Sequence, residues 1–258
     1  YAGINQDITI SFNNRVQWMR VTPQPTPFRT HDISIYGAIP RHRIGTGFSV
    51  FVDQEGEGNL KTISFQIPFS YSVVLASKGG KTSSVLRFGL QPSIGKKTIN
   101  WDKLVFSDQL DPLYGNIYPT SALPEGVEKR GILNCSAGVL FEGGFLMFNK
   151  SKNTRADGSR FSAGIALHHI TEPRVSLIEN PKSYIPRRYT VHLFVHKELK
   201  SKEVEGTPKI ITLGTIWQRH ETGSESPGLF NTSNLILSYT LPSFLLGCGY
   251  RNQLYFKK

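Results

Sequence analysis

Apolar and polar residues alternate with a period of two along most of this chain, and that period predicts strands. From Thr62 to Leu75, Ile63, Phe65, Ile67, Phe69, Tyr71, Val73 and Leu75 share one face. Thr62, Ser64, Gln66, Ser70 and Ser72 share the other, with Pro68 between them and Val74 breaking the rule. The same alternation carries Leu86, Phe88, Leu90 and Ile94; Phe161, Ala163, Ile165 and Leu167; and Tyr189, Val191, Leu193 and Val195. It returns in Leu235, Leu237, Tyr239 and Leu241, and in Phe244, Leu246, Cys248 and Tyr250. Phe194, Ile236 and Leu245 are apolar exceptions on the polar faces. About twelve strand-like segments emerge, centred near Ile10, Ile35, Phe48, Phe65, Leu90, Ala137, Met147, Ile165, Leu193, Leu213, Leu237 and Leu246. Many approach the ~10 residues that cross a bilayer at a tilt.

The links carry turn chemistry. Pro40-Arg41-His42 reads as a short link, Lys78-Gly79-Gly80-Lys81 as a hairpin, and Gln54 to Gly58 as a polar loop. The longest link runs from about Trp101 to Arg130, with room for a short helical turn between Trp101 and Leu110. Link lengths do not sort into short and long sets, so strand orientation in the C-terminal half stays open.

A soluble β-sandwich also alternates. Long segments, a large strand number and faces rich in Gly, Ser and Thr favour a membrane barrel with a filled or narrow lumen. Trp18, Tyr71, Trp101, Tyr184, Tyr189, Trp217, Tyr250 and Tyr255 lie near segment ends, where a barrel carries an aromatic girdle and ordinary strands also carry aromatics.

Composition changes this picture little. The 258 residues suit one large β domain, and the net charge of +11 favours anionic partners. The basic residues are scattered rather than blocked, which argues against nucleic acid. Lys96, Lys97, Arg187, Arg188, Lys200 and Lys202 fall at strand ends, where outer-membrane lipid phosphates, lipopolysaccharide or an acidic partner lie within reach and where solvated strand ends account for them nearly as well. Mean hydropathy is -0.25, a value compatible with a barrel because only alternate residues meet lipid. Cys135 and Cys248 lack metal-ligand spacing and sit in apolar segments, as buried or lipid-facing thiols do.

Candidate chemistry is sparse. Asp102, Asp108 and Asp111 gather in the long link with Asn100, Tyr114 and Asn116. Such groups are able to hold Ca²⁺, but the spacing is not that of an EF-hand, and carboxylates capping turns are favoured. His168 and His169 would point to opposite faces of a regular strand and so not share a metal. His192 and His196 share an inward parity with Arg188, as a lumen-lining polar row does. No nucleophile elbow or comparable signature points to catalysis, and no cofactor is expected.

Particular residues also resemble one family. Tyr1-Ala2-Gly3 and the Arg15, Gln17, Trp18 pattern resemble the opening and first-strand end of the PorP/SprF family. Leu86 to Gln91, Asn100 to Leu104, Ser107 to Pro112, Ala166 to Pro173 and Pro186 to His192 resemble further family segments in the same order. The resemblance spans Tyr1 to about Arg251. It implies an outer-membrane protein of the type IX secretion system of Bacteroidetes, a Gram-negative group, with a closed antiparallel barrel of roughly fourteen strands. About twelve would be visible in the single domain 1–258, with the last ones beyond Lys258. It further implies a non-enzymatic part in protein transport and gliding motility, beside a translocon barrel and a periplasmic ring, or holding a secreted surface adhesin. The candidate partner contacts are Asp102, Asp108, Asp111, Tyr114, His168 and His169. The rivals are a soluble β-sandwich adhesin or binding module and an outer-membrane enzyme.

Overall fold

In the computed structural model the residues described are 8–17, 28–78, 81–121, 128–144, 159–178, 183–199, 209–221, 228–241 and 244–257. The chain is all-β, and among the described residues twelve strands form one antiparallel sheet. In chain order these are β1 (Thr9–Gln17), β2 (Phe28–Ile39), β3 (Ile44–Glu55), β4 (Leu60–Gln66), β5 (Phe69–Lys78) and β6 (Lys81–Thr98). After the two-residue strands β7 (Leu110–Asp111) and β8 (Gly115–Asn116) come β9 (Lys129–Gly144), β10 (Arg160–His168) and β11 (Arg188–Leu199). The last are β12 (Lys209–Glu221), β13 (Gly228–Thr240) and β14 (Leu245–Lys257). Among the described residues β7 and β8 pair only with each other.

The twelve strands occupy eleven positions in the wall. β4 and β5 are halves of one crossing: both pair with β3 on one side and with β6 on the other, without a register change between the halves. The sequence pattern reads Thr62 to Leu75 as one strand. The interruption falls at Ile67 and Pro68 because proline has no N–H to give to a ladder. Ile67 N–H still reaches Pro92 O at 3.1 Å. The segment around Met147 lies outside the described residues.

Every wall strand is antiparallel to its neighbours, which settles strand direction through the C-terminal half. β1 and β14 are the sheet's edges, and among the described residues no ladder joins them. They hold the first and eleventh positions of an alternating wall, so they run in the same direction. Antiparallel closure between them takes an odd number of intervening strands.

Register lines up the outward side chains into one belt. Ile10 lies opposite Ile35, Ile35 opposite Phe48, Val50 opposite Phe65, and Phe65 opposite Ile94. The belt continues through Leu90, Ala137, Leu167 and Tyr189, and through Leu193, Thr215, Leu235 and Tyr250. No second sheet covers this belt among the described residues. Phe65, Ile165, Leu193 and Leu237 stay 44%, 63%, 46% and 48% exposed, which excludes the sandwich. Cys135 and Cys248 are free thiols on this outward face.

The inward face is polar and hydrogen-bonded. Arg87 Nε donates to Glu142 at 2.7 Å and its Nη1 to Ser72 at 3.0 Å. Thr30 donates to Asp53 at 2.6 Å, Ser49 to Asp32 at 3.0 Å, and the amides of Gln91 and Gln66 pair. Phe194, the apolar exception on β11, lies flat across the wall over Gly214 of β12, where a Cβ would collide with its ring. Its ring stacks on that of His196 with centroids 6.3 Å apart.

Candidate functional site

Strand directions sort the links between two rims. The strand ends that flank 18–27, 56–59, 99–128, 169–187 and 222–227 share one rim, and those that flank 40–43, 79–80, 145–159, 200–208 and 241–244 share the other. All six candidate contact residues fall at the first rim.

The long link starts where β6 ends and is tied to the wall at once. Asn100 N–H donates to Gly58 O at 2.8 Å, and Ile99 N–H to Glu128 O at 3.0 Å. Two 3-10 turns follow, Trp101–Lys103 and Ser107–Gln109, in the stretch where the sequence left room for a helical turn. Asn100 Oδ1 caps the first by accepting from Asp102 N–H at 3.0 Å.

Asp108 and Asp111 organise the rest. Asp108 accepts from Thr120 Oγ1 at 2.9 Å and from Ser121 N–H at 2.8 Å, closing the link upon itself. The Ser121 N–H, with help from the Thr120 and Ser121 hydroxyls, holds the Asp108 carboxyl below the usual range. Asp111 accepts from Leu113 N–H at 2.8 Å, Tyr114 N–H at 3.0 Å and Tyr118 Oη at 3.1 Å. Those donors, the Leu113 N–H first, likewise lower its pKa. Gly115, at φ 75, completes the turn between β7 and β8, a conformation glycine takes without strain.

The three aspartates therefore work separately. Among the described residues no group of three or more His, Cys, Asp or Glu side chains converges as a metal site would require. The carboxylates of Asp108 and Asp111 are turn caps, and that of Asp102 faces solvent.

Capping leaves the apolar side chains of the tip outside. Leu113 is 86% and Tyr114 76% exposed, with Leu110, Ile117 and Tyr118 exposed beside them. Tyr114 is one of the six candidate contacts read from the sequence. Leu113, Ile117 and Tyr118 were missed, although apolar residues in a link too short to build a core were the available signal.

His168 and His169 occupy the same rim. The opposite-face expectation for them fails: their rings lie 6.5 Å apart. His169 leaves the strand with φ 58, and that left-handed step swings it back beside its neighbour. His168 remains in β10 opposite Arg188. Asn134 Oδ1 accepts from Cys135 N–H at 2.8 Å and Thr171 Oγ1 at 3.3 Å, so its amide nitrogen donates to His169 Nδ1 at 2.8 Å. Burial first, then the Arg188 and His220 charges, keep His169 below the usual histidine range. These bonds clamp the 169–173 turn onto β9, and the Arg187–Glu172 ion pair at 3.3 Å ties it to the residue before β11. His192 and His196 face inward with Arg188, as their parity requires; His196 Nδ1 lies 2.9 Å from Thr212 Oγ1.

The arrangement offers an ordered rim with an apolar, aromatic tip. The chain matches, over residues 1–257, the family described as type IX secretion system membrane protein PorP/SprF. Neither a curated protein nor a solved structure matches it.

Proposed function

Because the chain belongs to the PorP/SprF family of type IX secretion system membrane proteins, we propose that it is a non-catalytic outer-membrane barrel that holds a protein partner of that machinery. One observation carries the reading: Leu113 and Tyr114 stand exposed on a tip whose backbone Asp111 holds in place. Exposed apolar and aromatic groups on a fixed backbone suit protein recognition, because little ordering entropy remains to be lost on binding. The rim with the longer links faces outward, as in outer-membrane barrels generally, and closure between β1 and β14 would leave no backbone polar group unpaired in lipid.

The test is a pull-down in mild detergent from cells carrying the intact chain or Leu113→Asp with Tyr114→Ala. The double variant is expected to lose one defined partner, the translocon barrel, the ring or an adhesin, while still shifting on an unboiled gel. Capture of the same partners by both proteins would overturn the reading.

A further inference from the structure

Three lysines converge on the outward face just inside the long-linked rim. On β4, β6 and β9 the outward positions there are Lys61, then Thr98 and Lys96, then Lys129 and Gly131. Thr98 lies between Lys61 and Lys129 in the register, and Lys96 lies between Ile63 and Gly131, one outward position nearer the belt. At the usual strand spacing, Lys61 and Lys129 stand about 10 Å apart with Lys96 below the gap. All three are exposed. A Cβ at Gly131 would meet nothing within 4 Å, so the surface there is open. Arg29 extends the row across Gln54.

Directly beneath sit Ile63, Ile94 and Leu133, the start of the apolar belt. The lysines thus lie where hydrocarbon gives way to headgroups. Nearby acids are Glu57 in the 56–59 turn, Asp102 and Glu128, while Asp53 and Glu55 have inward parity. Among the described residues the ion pairs are Arg87–Glu142 and Arg187–Glu172, and neither involves these lysines. Cations at that level without a protein counterion take their anions from lipid.

We infer that Lys61, Lys96 and Lys129 form a binding site for the phosphate groups of a phosphorylated glycolipid of the outer leaflet. Long flexible stems let three ammonium groups close on one headgroup while the methylenes cover the upper belt. The site rests on the outer-membrane orientation proposed above.

The intact chain is reconstituted into phosphatidylcholine vesicles doped with bis-phosphorylated lipid A, with its dephosphorylated form, or with phosphatidylglycerol. Lipid retained after detergent extraction is then read by native mass spectrometry. Preferential retention of the bis-phosphorylated lipid is expected, insensitive to added inorganic phosphate. Lys61→Gln, Lys96→Gln and Lys129→Gln should each weaken it on the order of fivefold, and the triple variant on the order of a hundredfold. Lys197→Gln with Lys209→Gln, outward on the opposite rim, should leave retention unchanged. Equal retention of the dephosphorylated lipid or phosphatidylglycerol, or a triple variant as retentive as the control, would sink this site alone. A chain that fails to enter vesicles at all would sink the barrel reading with it.

Discussion

Gly214 and Phe194 show how narrow the inner tolerances are. The ring occupies the space a side chain at 214 would need, so Gly214→Val must displace it. A cost of about 1–3 kcal/mol is expected, read as a lower temperature for the heat-dependent gel shift. Two rim groups should respond to pH in different windows. The His169 pKa is lowered, so the unfolded chain binds that proton more readily. Its contribution is present above the ordinary histidine pKa and is lost as pH falls through that range, where a protonated Nδ1 would face the Asn134 amide hydrogens. Hydrogen exchange at 169–173, corrected for intrinsic rate, should quicken between about pH 7 and about pH 5. The Asp108 and Asp111 pKa values are also lowered, but for a carboxylate this means stability present above the ordinary carboxylate pKa and lost only as pH falls below it. Exchange at 107–121 should stay slow through the window in which the histidine turn loosens. Asp111→Ala should speed it severalfold at neutral pH.

At the scale of the element, strand faces decide the outcome of a substitution. Ile165 sits mid-belt on β10, outward, and Ser162 on the same strand points inward. In lipid, Ile165→Arg should cost about 2–4 kcal/mol in vesicle-folding titrations, and Ser162→Arg much less. A water-exposed Ile165 would tolerate arginine within about 0.5 kcal/mol, so the measurement separates the two environments. Most strands were legible because a side-chain period of two is a local property of the chain. The break at Pro68 was visible as a proline. That the two halves keep one register depends on β3 and β6 flanking them on both sides.

For the whole molecule, eleven aligned crossings make a wall with one apolar and one polar face. The protein should fractionate with the outer membrane and run differently on gels before and after boiling. Recovery in the soluble fraction without detergent would contradict the belt. The Arg87–Glu142 contact spans β6 and β9, residues far apart in the chain, so Glu142→Leu should lower the melting temperature by removing the carboxylate partner of a largely buried guanidinium.

Alternation along the chain determined that this is an all-β protein with one lipid-compatible face, because burial preference and backbone period act on each segment independently. It also determined the shared inward parity of His192 and His196, whereas His169 escaped the rule by leaving the strand. Three-dimensional pairing alone decided what the long link does. Asp108 reaches Thr120 and Ser121, and Asn134 reaches His169, across separations that no periodic pattern encodes. Register likewise brought Lys61, Lys96 and Lys129 from three strands to one patch. A one-residue slip of the β4–β6 or β6–β9 ladder would have sent a lysine to the other face.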